Sequence, residues 1–313
     1  MSEVKIIEVN PDELGIRIDR WFRRNFVGLT QGKIEKLIRT GQIRIDGKRV
    51  KSSTRLNAGQ FIRVPPLLVG SEKIDKPVKS NQKFLDRDYI RSKVIYKDND
   101  IIAINKPAGI AVQGGTKINR HIDAMLDELV YDSQFRPKLV HRLDKDTSGV
   151  LLLARNSFSA ALLAKSFRKR EVEKTYWAIV VGVPKCRKGV IDIALQKKSM
   201  VAKERMILGE GLSAITRFTV LESAGLSASW LALYPETGRT HQLRAHCRAI
   251  GTPIMGDKKY GRMDNITGSI PNVGKLHLHA RELTTNHPRG GKITIEAAPP
   301  QFMSETIKYL GFK

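Results

Sequence analysis

The chain has 313 residues, 55 of them Lys or Arg against 31 Asp or Glu, for a formal net charge of +24. Hydrophobic residues make up 41% and charged residues 27%, which excludes global disorder and fits two folded modules. An excess of positive charge this large repels itself in a compact state and matches a polyanion, nucleic acid first and membrane surface second.

Residues 1–65 read as one small α+β module. Ile18, Trp21 and Phe22 sit at helical spacing, and a second helix is expected from Thr30, its N-cap, with Ile34, Leu37 and Ile38 on one face and Gly41 as its stop. Ile43-Arg44-Ile45 alternates, Asp46-Gly47 is a strong hairpin turn, and Phe61–Val64 ends the module as a strand. Between Thr30 and Arg55 the bases Lys33, Lys36, Arg39, Arg44, Lys48, Arg49, Lys51 and Arg55 face only Glu35 and Asp46. A merely solvated helix face would mix signs, so this run is read as a nucleic-acid contact surface carried by Lys33, Lys36, Arg39, Arg44, Lys48 and Arg49.

Pro65-Pro66 closes the module, and 66–89 reads as a polar, Lys-rich linker without periodicity. Residues 90–313 form the larger domain. Strands are expected at Val94–Tyr96, Ile101–Ile104, Val150–Ala154, Tyr176–Val181, Ile215–Leu221, Trp230–Tyr234, Leu276–Ala280 and Ile293–Ala297. Helices are expected at Ser157–Arg168 and Thr240–Ile250, the second capped by Thr240. Many strands with few helices between them give α+β, with a mixed, largely antiparallel sheet.

No apolar run nears the roughly 20 residues that cross a bilayer, and residues 1–10 lack the apolar stretch of a signal peptide. Cys186 and Cys247 make neither a disulfide framework nor a four-Cys zinc site. Aromatic residues, at 6%, do not favour an extended stacking platform. A cytoplasmic monomer is expected.

The densest chemistry lies in Val140–Val150. Asp146-Thr147-Ser148-Gly149 can close a turn, and two readings of Asp144 are open. It caps the loop, or it is a carboxylate held ionised by Arg142 and Lys145 and able to act as nucleophile or base on a sugar carbon. In Glu236–Arg248, Arg244 and Arg248 share a helix face suited to anions, and Leu243, Cys247 and Ile250 share a core face. His277 and His279 point the same way from a strand, but no Cys, Asp or Glu stands beside them at ligand spacing. Structural or RNA-contacting histidines are therefore favoured over a metal site. Taken alone, Tyr176 is a core tyrosine.

His141-Arg142-Leu143-Asp144 with Thr147-Ser148-Gly149 resembles the signature loop of the pseudouridine synthases of the RluA family. The likeness extends in order through Asn105-Lys106-Pro107, Lys174-Thr175-Tyr176, Gly238–Arg244 and Leu276–Ala280. The N-terminal module is similar to the S4-type RNA-binding domain that several members carry. The resemblance implies a cofactor-free isomerase that acts on uridines of large-subunit ribosomal RNA. Asp144 would attack C1′ or take the 2′ proton. Tyr176 would stack on the base and help remove the C5 proton, and Arg244 would pair with Asp144. Leu243 would line the pocket and Arg142 would fill the gap left by a flipped nucleotide. His141, Thr147, Arg239 and His241 would complete the substrate site. A non-catalytic RNA-binding assembly factor of the same fold and a metal-dependent hydrolase are the competing readings.

Overall fold

A computed structural model describes residues 4–26, 28–68, 80–114, 120–200, 203–209, 211–261 and 270–313. The chain divides into two compact units, Met1–Leu85 and Asp86–Lys313.

The first unit contains β1 (Lys5–Glu8), α1 (Ile18–Asn25), α2 (Gln31–Arg39), β2 (Arg44–Ile45), β3 (Lys48–Arg49) and β4 (Phe61–Val64), with the antiparallel sheet order β1-β4-β2-β3. The expected faces of the two helices meet Ile43, Ile62 and Val64 in one core. Burial leaves the Trp21 indole N–H needing an acceptor, and Glu13 supplies it at 2.7 Å. Thr30 caps α2 by accepting from the Lys33 N–H at 3.3 Å. Asp46 and Gly47 both take left-handed backbone, φ 48° and 75°, which is what a two-residue hairpin turn between β2 and β3 demands.

Of the stretch expected to be a linker, residues 69–79 lie outside the described residues, and its end is helical: α3 (Ser80–Arg91). Among the described side chains of this polar helix, Ile90 is the buried anchor. Arg91 Nε donates to the Glu128 carbonyl at 2.8 Å, and Asp86 pairs with Arg120 at 2.8 Å. Tertiary contacts, not periodicity, make this helix.

The second unit continues with β5 (Val94–Lys97), β6 (Ile101–Lys106), α4 (Ile122–Met125), β7 (Lys138–Leu139), β8 (Ser148–Ala154), α5 (Ser157–Lys169), β9 (Glu173–Val181) and β10 (Lys188–Asp192). Then come β11 (Leu195–Met200), β12 (Lys203–Leu208), β13 (Ile215–Ala224), β14 (Ala228–Pro235), α6 (Gln242–Ala249), β15 (Leu278–Asn286), β16 (Lys292–Glu296) and α7 (Gln301–Tyr309). The main sheet runs β10-β13-β14-β9-β15-β8-β6-β5, with β16 on β15 and β7 on β8. Among its described strands the one parallel pairing is β15 with β8. This is the mixed, largely antiparallel sheet expected.

β8 is buried along its whole length, so its apolar run is continuous rather than alternating. Leu151 and Leu153 pack with Met125 and Leu126 on one face, and Val150 and Leu152 pack with Leu163 of α5 on the other. β8 and β15 pair at Ser148–Gly149 against His279–Ala280. The β7–β8 loop therefore emerges at the centre of the sheet, beside β9 and the start of α6.

Candidate active site

Asp144 sits in the β7–β8 loop. The turn is closed by main chain, with the Thr147 N–H donating to the Asp144 carbonyl at 3.2 Å. The Asp144 carboxylate takes no part in it and accepts no hydrogen bond from any described residue, so the capping reading does not hold. The groups facing it also differ from the cations expected; burial lowers the pKa of one of them, His241. Neither Arg142 nor Lys145, its neighbours in sequence, forms an ion pair with it. Instead Arg244 Nη1 and His241 Nε2, from the far side of the domain's sequence, each lie 3.9 Å from Asp144 Oδ2.

Beneath the loop lies Lys106, the last residue of β6, which is fully buried. Its ammonium donates to the carbonyls of Pro107, Ile110 and Lys145 at 2.9, 2.9 and 3.0 Å. Burial pulls its pKa down to about 7, opposed by the charges of Asp146 and Asp144. Lys106 thus ties the backbone beside Asp144 to the sheet.

The start of α6 is built around Gln242. Its side-chain oxygen accepts from the Arg239 N–H at 3.0 Å and from the Thr237 hydroxyl at 2.7 Å, while its amide donates to the Ile215 carbonyl and Thr216. With the first turn satisfied this way, Thr240 is not the cap. The N-cap is His241, in left-handed backbone at φ 52°, and the Thr240 hydroxyl accepts from Arg142 at 3.2 Å. The left-handed residue turns the His241 ring into the site.

Arg142, Leu143, Asp144, Thr147, Tyr176, Arg239, His241, Leu243 and Arg244 line one cavity of about 130 Å³, together with Lys174 and Leu278. That is room for a planar ring or several waters. Every expected site residue but one is here. His141 does not line the cavity: its Nε2 accepts from the Leu152 N–H at 2.8 Å and its ring stacks on Phe167 at 4.5 Å. Burial holds its pKa down at about 3, so it braces β8 as a neutral ring. Tyr176, from β9, is half-buried against Leu143 and Leu278. Burial and the nearby Asp144 push its hydroxyl well above the usual tyrosine range.

Arg244 has a second, closer partner that the sequence reading missed. Its Nε and Nη2 bind the two oxygens of Asp257 at 2.7 Å each. Burial opposes its charge, but Asp257 more than compensates and holds its pKa above the ordinary value. Arg248, expected to share an anion-binding face, donates instead to the Tyr260 carbonyl at 2.8 Å. Tyr260 was also missed; its hydroxyl lies 3.1 Å from His241 Nδ1. The signal was an acid, Asp257, set one glycine after the apolar pair Ile254-Met255: a buried carboxylate needs a cation, and α6 carries two arginines.

His277 and His279 are fully buried, and each has both ring nitrogens within hydrogen-bond range of protein atoms. That is the structural role. In the first unit Lys33, Lys36, Arg39, Lys48 and Arg49 are exposed. Arg44 is half-buried and donates to the Gly41 and Gly47 carbonyls, bracing the hairpin.

Comparison with known proteins places these two units. Residues 100–249 match the model of the RNA pseudouridylate synthase family, and residues 16–62 match the S4 domain. The chain is 38% identical over 312 residues to ribosomal large subunit pseudouridine synthase C of Rickettsia felis, covering 96% of this chain and 98% of that protein. It is 33% identical to the protein of the same name from Escherichia coli K12, covering 97% and 95%. Among solved structures it is similar to human RNA pseudouridylate synthase domain containing 4, with a TM-score of 0.62, 29% identity, and coverage of 74% of this chain and 98% of that one.

Proposed function

The chain belongs to the pseudouridine synthases of the RluA type, and we propose that it isomerises uridines of large-subunit ribosomal RNA with Asp144 as the catalytic carboxylate. Such enzymes are isomerases that convert uridine in RNA to pseudouridine. The N1–C1′ bond breaks, the uracil turns, C5 joins C1′, and the C5 proton is lost as N1 regains one. The large subunit is named for the relatives at 33–38% identity, and near-complete coverage of both chains supports carrying that substrate over.

One observation carries the role of Asp144: a carboxylate that lines the cavity and forms no hydrogen bond with any described residue. Buried or half-buried carboxylates normally have partners, so its free oxygens suit attack on C1′ or removal of the 2′ proton. Tyr176 is positioned to stack on the base. Burial keeps its hydroxyl protonated at neutral pH, so the proton from C5 passes to it only with a second acceptor in reach. Leu243 and Leu278 give the ring an apolar wall, and Thr147, Arg239 and His241 offer polar contacts around it. Arg142, exposed at the rim and tethered to Thr240, is suited to fill the stack when the target base leaves it. The exposed bases of α2 and β3 supply backbone contacts for the same RNA. No helix among the described residues is long and apolar enough to cross a membrane; the reading is of a cytoplasmic enzyme.

Asp144→Asn tests this. Asn keeps the shape and most hydrogen bonding but is neither nucleophile nor base. Tritium release from C5-labelled uridine in ribosomal RNA should fall below detection, with RNA affinity and Tm near wild type and the wild-type rate unaffected by EDTA. Release near the wild-type rate from Asp144→Asn would overturn the reading.

A further inference from the structure

We infer that Lys174 and Arg170 form a phosphate-binding pair at the edge of the active-site cavity, holding an RNA backbone phosphate beside the target uridine. This rests on the reading of the cavity as the seat of that uridine.

Lys174 stands two residues before Tyr176 on β9, so both side chains leave the same face of the strand, from Cα atoms about 7 Å apart. Both line the cavity that holds Asp144. Lys174 also lines a second, larger groove of about 990 Å³, walled by residues of β9, β10 and β13. Lys174 and Pro235 belong to both walls, so the cavity and the groove meet there. A nucleotide with its base on Tyr176 spans the separation to Lys174 with its own backbone, and the groove gives the rest of the strand a path away from the cavity.

Lys174 is half-buried, yet neither it nor Arg170 forms an ion pair or a side-chain hydrogen bond with any described residue. The nearby acids are committed elsewhere: Glu171 to Lys169 at 3.6 Å, Glu173 to Lys292 at 2.7 Å and Glu236 to Arg217 at 2.9 Å. Glu282, also on the groove wall, bonds to neither cation. Burial, and then the positive Arg170 beside it, hold the Lys174 ammonium below the usual lysine range. The other buried cations of this domain are satisfied from within, Lys106 by three carbonyls and Arg244 by Asp257. Charges drawn together out of bulk water need a counter-charge, and here an anion from outside completes the site.

Arg170 occupies a position that ordinarily goes to glycine. It is the C-cap of α5, in left-handed backbone at φ 62°. Its backbone N–H reaches the Phe167 and Ser166 carbonyls, so the cap asks nothing of the side chain. An arginine kept at such a position serves something beyond the helix, and a guanidinium suits a phosphate.

The test uses the full chain and a synthetic fragment of large-subunit ribosomal RNA centred on a uridine that the wild-type enzyme is first shown to modify. In Lys174→Gln, RNA Kd should rise at least about fivefold near 150 mM salt, and the slope of log K against log salt should flatten by about 0.7–1, the share of one phosphate. Replacing the phosphates on either side of the uridine, one at a time, by uncharged methylphosphonate locates the contact. At one of the two, the replacement should weaken wild-type binding about fivefold or more and Lys174→Gln binding less than about twofold. Equal losses in both proteins at both positions overturn the inference, and so does an unchanged salt slope. Arg170→Gly separates binding from folding: glycine suits the left-handed cap, so Tm should hold or rise while Kd rises at least about threefold. Wild-type affinity in Arg170→Gly overturns the pair. Should Lys174→Gln fail to fold, the methylphosphonate comparison is made with Arg170→Gly, with the same coupling expected and the same equal losses overturning it. All these readouts are affinities, so an active Asp144→Asn would overturn the reading of Asp144 and leave this test standing. A wild-type enzyme that modifies no uridine of ribosomal RNA would overturn the proposed function instead.

Discussion

The buried histidines outside the cavity set how the protein responds to acid. His277 lies between the Lys275 carbonyl at 2.8 Å and the Thr306 hydroxyl at 2.9 Å. His279 lies between Ser148 and the Ala297 carbonyl at 2.9 and 3.0 Å. Burial lowers both pKa values to about 4. In the unfolded chain they titrate near 6.5. Between those limits the unfolded state binds protons that the folded state refuses, so stability is lost as pH falls through the window and is unaffected by these groups above it. The size is of order 3 kcal/mol for each ring over the whole window. The carboxylates lowered by pairing, such as Asp100 at about 2, lose their contribution only at still lower pH. Lys106, held down to about 7, also costs stability as pH falls toward that value, so Tm is expected to decline from about pH 8 to 7 and to fall further from 6.5 toward pH 4. His277→Gln should start lower but slope less. A melting curve unchanged between pH 6.5 and 5 would refute this account. At this scale the sequence was legible for residues whose partners are their own loop or helix, such as Thr30 and Gly47. It was not legible for Arg244, because its partner was chosen in space: Asp257 lies one turn and one loop further on, with no periodicity to mark it.

Elements that bury both faces, or alternate cleanly, could be read directly, and in the second unit all eight expected strands and both expected helices are present. The missed elements have physical reasons. β11 and β12 form a charged hairpin, Leu195–Met200 against Lys203–Leu208, whose lysines and glutamate hide its pairing. α4 is a single turn held by His121, which accepts the Ala124 N–H at 3.1 Å. α7 fully buries Met303 and Thr306, with Phe302 and Ile307 half-buried against the same core. Strand order was not legible at all, because the parallel contact of β8 with β15 joins residues far apart in sequence. That contact depends on Gly149, at φ 111°, where a Cβ would lie 2.1 Å from the Ala280 carbonyl oxygen. Gly149→Ala must therefore part the two strands at the root of the Asp144 loop. A loss of about 2–4 kcal/mol in urea unfolding is expected, from overpacking and left-handed strain together. Gly47→Ala is the control, left-handed at φ 75° but with nothing within 4 Å of the added methyl; it should lose only about 1 kcal/mol. Equal losses at the two sites would show that strand contact is not what Gly149 protects.

At the scale of the whole molecule, the +24 charge is divided between two jobs. In the second unit cations at and beneath the cavity are engaged: Arg244 with Asp257, Arg239 with the Ser213 carbonyl, Lys106 with three carbonyls. In the first unit Lys33, Lys36, Arg39, Lys48 and Arg49 are exposed and surrounded by few acids. Charge of that second kind binds phosphate and releases counterions, so it should govern affinity and its salt dependence rather than turnover. Deleting residues 1–65 tests the division. It removes nearly the whole of the core formed by α1, α2 and β4, and leaves Ile90 and the cores around β8 and β14 in place. The truncated chain should bind ribosomal RNA at least about tenfold more weakly near 150 mM salt, with the slope of log K against log salt shallower by about 3–5, one step for each lost phosphate contact. Slow turnover should persist, because Asp144, Tyr176 and Arg244 all remain. The slope decides the matter: weaker binding at an unchanged slope would mean that the first unit contributes shape or orientation, and that its exposed lysines and arginines do not touch the RNA backbone.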